Sequence, residues 1–213
     1  NYSNHLPCHQ LFLIVLLVAE YLIRESLFTL TLNIVPTIQA KLPYLTPLAK
    51  AFTFIGTEKG TAIIILLVYN FSNIYKTFIC ISLVSICCFI GGVLKMIYIS
   101  PRPYMVSQNV SILGCEGGWG NPSNHAFCST CLFLCLYNLY IKRNKKVSLN
   151  KRIPYLILVL FVIFSICFSR VYLGAHAINQ VLFGFTLGLT AYFIAFYFIS
   201  INEENPFQFS NII

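Results

Sequence analysis

Charged side chains are scarce in this sequence. Asp, Glu, Lys and Arg make up 9% of its 213 residues, and only six residues are acidic. Soluble domains carry about 25% charged residues, so this scarcity excludes an ordinary water-soluble fold. The few carboxylates are scattered along the chain, and no acidic cluster is present that could hold Mg²⁺. We therefore expect neither a metal nor any other cofactor.

Apolar side chains dominate instead. The hydrophobic fraction is 58% and the mean hydropathy is +0.78. Several apolar runs approach or exceed the roughly 20 residues that a helix needs to cross a bilayer. Because an open strand cannot satisfy its backbone in lipid, we predict an all-α polytopic membrane protein. Residues 1–213 form one membrane-embedded domain with about six transmembrane helices, which we place at Leu11–Leu30, Thr61–Tyr69 (extended back through Phe52), Thr77–Tyr98, Ala126–Tyr140, Ile153–Leu173 and Ala177–Ile201.

The net charge of +8 is better explained by membrane topology than by nucleic acid. Basic residues lie mostly at helix ends and in the loop "IKRNKKVSLNKR" (141–152), which is typical of a cytoplasmic connection. With six spans, this loop and both termini share one face. We therefore expect no nucleic-acid partner and place the opposite face in a lumen or outside the cell. An endomembrane such as the endoplasmic reticulum, or the plasma membrane, fits this topology, and a mitochondrial membrane stays an alternative.

Three smaller features bear on packing. Gly184 and Gly188 form a small-xxx-small pattern that favours close helix contact. Glu20 and Arg24 are four residues apart in the first span, so a local ion pair is the simplest interpretation, with a functional role for charge inside a membrane as the alternative. Among nine cysteines, a Cys115–Cys128 bridge is the one pairing we consider, although the odd count and irregular spacing do not resemble a disulfide framework.

Three polar stretches fall on the expected non-cytoplasmic face. They are "KMIYISPRPY" at the end of the third span, "NPSNHA" at the start of the fourth and "SRVYLGAH" at the end of the fifth. Together they supply three cations and two of the four histidines. The residues concerned are Lys95, Arg102, Ser123, His125, Arg170 and His176.

Converging cations at a membrane face predict an anion, and phosphate suits the forked donors of arginine best. The start of the fourth span adds free backbone N–H groups at the positive end of a helix dipole. Two histidines indicate chemistry as well as binding, since one imidazole can attack phosphorus while the other transfers a proton. Without a metal, the cations would stabilise the phosphoryl charge.

The same residues resemble the three-part motif of the type 2 phosphatidic acid phosphatase superfamily, which includes lipid phosphate phosphatases and glucose-6-phosphatase. The matching parts are "K-x6-RP" (Lys95 to Pro103), "PSxH" (Pro122 to His125) and "SR-x5-H" (Ser169 to His176). The resemblance implies that His176 is the nucleophile and His125 the general acid and then base. It implies that the phosphate-binding groups are Lys95, Arg102, Ser123, Asn124 and Arg170.

Two positions depart from the family pattern. Asn124 stands where many members have glycine, and a tight left-handed turn can still form because asparagine tolerates that backbone. Gln180 stands where most members have aspartate, four residues after the nucleophile. We expect its amide oxygen to accept the His176 ring N–H, and a Gln180→Asp exchange to preserve or raise turnover.

The resemblance implies a membrane phosphatase that hydrolyses a phosphate monoester or pyrophosphate through a phosphohistidine. A phosphorylated lipid is the favoured substrate, because short loops and six spans resemble the lipid phosphatases. A small phosphate ester such as a sugar phosphate is the alternative, since "RPY" and "SRVYLGAH" followed by Gln180 resemble glucose-6-phosphatase. Membrane lipid surrounds the chain in either case. A different hypothesis is a catalytically weak relative that serves as a structural subunit, with other chains of a membrane complex as its partners.

Overall fold

The described part of the chain is helical almost throughout. The computed structural model describes residues 6–72, 74–114, 116–142, 144 and 147–204, and within these ranges it contains no strand. The predicted all-α class is confirmed.

Eight α-helices follow one another along the chain. A 3₁₀ turn at Pro43–Leu45 and a π turn at Asn138–Lys142 interrupt them. The helices are α1 (Leu6–Lys41), α2 (Thr46–Gly56), α3 (Glu58–Phe71), α4 (Ile74–Tyr98), α5 (Pro103–Val106), α6 (Asn124–Tyr137), α7 (Leu149–Tyr172) and α8 (Ile178–Glu204).

Three stretches are long and apolar enough to cross a membrane: Ile74–Val106, Leu149–Tyr172 and Ile178–Tyr197. A fourth span is added if Pro43–Gly56 and Glu58–Phe71 cross together, with a bend of 58° between them. This bend explains why the predicted second span was short. The chain is a polytopic membrane protein, while the count of six spans stays a prediction.

Helix α1 is longer than the predicted first span. It continues through Pro36 to Lys41, beyond the end that we placed at Leu30. Buried polar contacts hold its last turns in place: the Gln39 amide donates to the backbone oxygens of Tyr172 and Ser111, at 2.8 and 3.0 Å. Neighbouring elements thus stabilise a helix that proline would weaken in isolation.

Glu20 and Arg24 interact through their charges, but they form no ion pair within 4 Å. The Arg24 guanidinium lies over the Tyr21 ring, 4.8 Å from its centroid. Glu20 is buried, close to Asn179 at the start of α8. Burial against another helix therefore outweighs the local helical spacing.

Helix α6 is the centre of the bundle and packs against α4, α7 and α8. Its contact with α8 depends on Gly184 and Gly188, the two small residues of the small-xxx-small pattern. A methyl group at Gly188 would lie 2.6 Å from Thr130 Cβ, and one at Gly184 would lie 2.5 Å from the Ser123 oxygen. The packing interpretation of this glycine pair is confirmed, and it brings α8 against the segment that carries His125.

Thiols line part of the α4–α6 contact. The Sγ atoms of Cys88 and Cys128 lie 3.6 Å apart, and Cys128 is a free thiol. Cys115, the other member of the pairing considered from the sequence, lies outside the described residues.

Candidate active site

The predicted site residues gather at one end of the bundle. Helix α4 ends at Tyr98, just before Arg102, while α6 begins at Asn124, just before His125. Helix α7 ends at Tyr172 and α8 begins at Ile178, which leaves His176 in the connection between them. The basic loop after α6 lies at the opposite end of that helix.

A glycine allows the sharp turn before His176. Gly174 has a φ of 72°, and a methyl group there would approach the Ser111 oxygen to 2.8 Å. The chain then folds back, so that the His176 N–H donates to the Arg170 oxygen at 3.1 Å. This turn places a buried guanidinium and a buried imidazole on the same side of the bundle end.

Arg102 is both a charge in the site and the anchor of the 116–120 segment. Its Nε donates to the Gly118 oxygen at 2.8 Å, and its Nη2 donates to the Gly117 oxygen at 3.1 Å. Its Nη1 donates to the Ala175 oxygen at 2.8 Å and lies 3.2 Å from His176 Nε2. The glycine-rich segment is therefore wrapped around a guanidinium.

Two contacts determine the tautomer of His176. Its Nδ1 lies 2.8 Å from the Gly120 backbone oxygen, which can only accept, so Nδ1 carries the proton. Its Nε2 lies 3.2 Å from Arg102 Nη1, which can only donate, so Nε2 presents its lone pair. A neutral imidazole of this tautomer has its nucleophilic nitrogen directed toward Arg102.

Gln180 does not contact the imidazole as we expected. Its amide oxygen accepts from the Ala177 N–H at 3.1 Å, and its Nε2 donates to the Pro101 oxygen at 2.7 Å. The Gly120 oxygen accepts the ring N–H in its place. The prediction was wrong because it considered only side chains, whereas a backbone carbonyl lies closer to the ring.

Glu116 is the site residue that sequence reasoning missed. Its Oε1 contacts Arg170 Nη2 and lies 3.5 Å from His125 Nε2. Its Oε2 lies 3.2 Å from Arg102 Nη1 and 3.6 Å from His176 Nε2. One carboxylate therefore contacts both arginines and approaches both imidazoles. Glu116 lies outside the three motifs, although an acidic residue beside a glycine-rich segment is a usable signal.

The other predicted residues take different places. Lys95 interacts electrostatically with Arg102, Glu116 and Arg170 but forms no ion pair within 4 Å in the described part of the chain. Asn124 is helical and does not have the left-handed backbone we allowed for. Its side chain packs against Gly91 of α4.

Helix α2 supplies two further contacts to the site. The Thr53 hydroxyl accepts from Arg170 Nη1 at 3.4 Å and lies 2.7 Å from Ser169 Oγ. A methyl group on Gly56 would lie 3.1 Å from the His125 ring, so α2 packs directly against this imidazole. Neither residue belongs to the sequence motifs.

The charges in the site are strongly coupled. Burial favours the protonated form of Glu116, but interaction with His176 and the charges of Arg170 and His125 outweigh burial and lower its pKa below the ordinary value. Burial also lowers the pKa of His176, to about 3, although Glu116 acts in the opposite direction. At neutral pH the carboxylate is therefore ionised and the His176 ring is neutral.

The fold and the site together define a class: a polytopic membrane protein with a cationic, two-histidine anion pocket at one end of its helical bundle. The sequence pattern of the PAP2 superfamily matches residues 61–204, well over half of the chain. The chain belongs to this superfamily, as the motifs predicted.

Two curated relatives have similar sequences. Dolichyldiphosphatase of Saccharomyces cerevisiae is 29% identical over 118 residues, which cover 54% of this chain and 48% of that protein. Phosphatidylglycerophosphatase B of Bacillus subtilis is 35% identical over 80 residues, which cover 37% of this chain and 38% of that protein. The matched region thus spans half or less of each relative's length.

Two crystal structures share the fold. A transmembrane PAP2-type phosphatidylglycerolphosphate phosphatase from Bacillus subtilis superposes with a TM-score of 0.75 at 22% identity, covering 93% of this chain and 96% of that one. LpxE of Aquifex aeolicus superposes with a TM-score of 0.62 at 20% identity, covering 81% of this chain and 93% of that one.

Proposed function

We propose that this protein is a membrane phosphatase that hydrolyses a phosphate monoester or pyrophosphate, with a lipid phosphate as its favoured substrate, through a phosphohistidine on His176. The observation that carries the proposal is the position of Glu116. One anionic group lies within 3.6 Å of both imidazole Nε2 atoms and contacts both guanidiniums. A phosphoryl group in that position would have a nucleophile, a proton donor and two cations around it.

In the first step, the Nε2 lone pair of His176 attacks phosphorus. The N–P bond forms while the bond from phosphorus to the leaving oxygen breaks. His125, whose protonation is favoured by the negative charge of the bound phosphate, gives its proton to that oxygen. Arg102 and Arg170, with Lys95 nearby, stabilise the charge on the phosphoryl oxygens. The Gly120 oxygen holds the Nδ1 proton throughout and stabilises the positive ring.

In the second step, neutral His125 accepts a proton from water. The water oxygen attacks phosphorus, the N–P bond breaks, and inorganic phosphate leaves. His176 recovers its Nε2 lone pair and His125 its proton. Protein cations stabilise the charge in this scheme. Glu116, the one carboxylate that the described residues bring to the pocket, is paired with two arginines and is a poor ligand for a further cation.

A lipid substrate is supported by two observations. The pocket lies at one end of a membrane bundle, and both curated relatives are named for lipid substrates. We place the site on the lumenal or extracellular face, because the basic loop after α6 lies at the opposite end of the bundle.

The test is phosphate release by the purified protein in detergent. Substrates would include phosphatidate, a polyprenyl phosphate, a polyprenyl diphosphate and a sugar phosphate. We expect activity that persists in EDTA, is blocked by vanadate and falls at least about a thousandfold in His176→Ala. Retained activity in that variant would contradict the phosphohistidine mechanism.

The His125→Ala variant separates the two imidazole roles. Loss of the general acid should slow alkyl phosphates more than aryl phosphates, because an aryl oxide leaves without protonation. Equal losses on both substrates would remove His125 from this role.

A second candidate function is a structural subunit with little activity. The occupied anion pocket favours it, since Glu116 lies where substrate must bind. Replacement of the family aspartate by Gln180 no longer favours it, because the Gly120 oxygen holds the imidazole. An inactive purified protein that co-purifies with membrane subunits would support this candidate.

A further inference from the structure

We propose that Glu116 is an internal competitor for the phosphoryl site, which the substrate must displace and which promotes release of inorganic phosphate after hydrolysis. This inference rests on the proposed function for its account of the catalytic cycle. The Glu116 carboxylate and an incoming phosphate compete for the same contacts. This competition concerns binding alone and does not require hydrolysis.

The contacts of Glu116 are those of a bound anion. Its Oε1 lies next to Arg170 and His125, and its Oε2 lies next to Arg102 and His176. The two guanidiniums are 1% exposed, whereas the Glu116 side chain is 26% exposed. The carboxylate therefore reaches buried cations from the open side of the pocket.

The carboxylate only partly satisfies the pocket. With Glu116 in place, several buried polar atoms of the site still have no hydrogen-bond partner in the described part of the chain. They include Arg170 Nε, Ser123 Oγ and His125 Nε2. A phosphoryl group has more oxygens than a carboxylate and can accept from more donors, so exchange of one anion for the other is favourable.

Displacement requires movement of a side chain and no opening of the loop. The Glu116 backbone oxygen accepts from the Tyr104 hydroxyl, and Arg102 holds the oxygens of Gly117 and Gly118. A methyl group added at either glycine would meet no atom within 4 Å, and the Glu116 side chain is itself 26% exposed. The backbone is thus anchored while the carboxylate has room to rotate toward solvent.

Competition of this kind discriminates among anions. Inorganic phosphate contacts only the pocket. The free energy of those contacts alone must therefore displace the carboxylate. An esterified substrate gains additional binding from the rest of the molecule. Return of Glu116 after hydrolysis then lowers the affinity for the product.

The experiment measures binding of inorganic phosphate and orthovanadate to the full chain in detergent. The readout is the rise in unfolding temperature with anion concentration. Wild type is compared with Glu116→Gln and with Glu25→Gln, which removes an exposed carboxylate elsewhere.

We expect Glu116→Gln to bind phosphate at least about tenfold more tightly, since a charge-assisted contact is replaced by a neutral one. Its unfolding temperature without added anion should fall, because two buried guanidiniums lose their counter-ion. Glu25→Gln should behave as wild type. An unchanged or weaker phosphate affinity in Glu116→Gln overturns the proposal.

Two further comparisons apply if Glu116→Gln is unstable when no anion is added. If Glu116→Gln is isolated only when phosphate is present, the proposal is supported. If it is never isolated, Glu116→Asp must bind phosphate more tightly than wild type, because its carboxylate is one methylene shorter, and failure to do so overturns the proposal. Tighter phosphate binding without any hydrolysis would support the competitor and contradict the proposed phosphatase.

Discussion

At the residue scale, Gln180 acts on the imidazole through the backbone that it supports. Its side chain packs against Gly120, where an added methyl group would lie 2.5 Å from the amide oxygen. The Gly120 N–H donates to the Ser100 oxygen at 2.8 Å, and Gln180 Nε2 donates to Ser100 Oγ at 3.2 Å. Gln180 is therefore a positioning residue for the carbonyl that holds His176.

This arrangement changes the expected effect of an acidic residue at position 180. In Gln180→Glu, the new carboxylate cannot donate to the Pro101 oxygen and would repel it. We expect kcat to fall by on the order of tenfold and the unfolding free energy to fall by about 1–3 kcal/mol, measured by phosphate release and thermal unfolding. For the same reason we now expect Gln180→Asp to lower turnover, whereas the sequence alone led us to expect that it would preserve or raise it.

A structural role alone would lower stability and leave the pH profile of kcat unchanged. A role in positioning His176 predicts that the profile shifts as well, because the ring N–H loses a fixed acceptor. Wild-type kinetics in both exchanges would contradict the role assigned here to the Gln180 amide.

At the element scale, the α6–α8 contact sets the distance between the two imidazoles, since His125 lies in the first turn of α6 and His176 precedes α8. Gly188→Ala would place a methyl group 2.6 Å from Thr130 Cβ and 2.7 Å from the Phe127 oxygen. We expect the two helices to separate, with a loss of about 1–3 kcal/mol in unfolding free energy and lower phosphate release.

Gly92 is the matched control for this exchange. It lies in helix α4, and a methyl group there meets nothing within 4 Å. Gly92→Ala should leave activity unchanged and stabilise the helix by up to about 1 kcal/mol. Equal stability of the two variants would mean that the α6–α8 contact tolerates a methyl group.

Helix α2 belongs to the site although no motif lies in it. The bend between α2 and α3 follows Gly56, and Thr57 caps α3 by accepting from the Gly60 N–H at 3.1 Å. Thr53 and Gly56 are three residues apart on one face of α2, which places Thr53 beside Arg170 and Gly56 beside His125.

At the scale of the whole molecule, the buried charges make stability depend on pH. The folded-state pKa of His176 is about 3, against an ordinary value of 6.5. Between these values the unfolded chain binds a proton that the folded chain does not, so stability falls as the pH is lowered through this window. Glu116, whose pKa is lowered, acts in the same direction below its ordinary value of 4.5.

We expect the unfolding temperature in detergent to decline as the pH is lowered from about 6.5 toward 4. The decline should be shallower in His176→Ala, where one titrating ring is absent. A single such group changes the unfolding free energy by at most about 1.4 kcal/mol per pH unit. Identical pH curves for the two proteins would contradict the lowered pKa of His176.

The amino-acid sequence alone determined the class of this protein and most of the residues that gather at its candidate site. Hydropathy over runs of about 20 residues is a local property, so α4, α7 and α8 were predicted nearly to their ends. The order of Lys95, His125 and His176 with their arginines could be read in the same way, because each motif lies within a few residues of a helix end.

Only the tertiary structure decided which groups meet. The Gly120 oxygen, Thr53 and the Glu116 carboxylate reach the pocket through turns and helix crossings that no short motif encodes. Every residue has a backbone carbonyl, so no residue type marks the one that will bind a side chain. A single glutamate likewise forms no repeating pattern. Their roles depend on burial beside cations. That environment forms only when the ends of four helices meet in the folded protein.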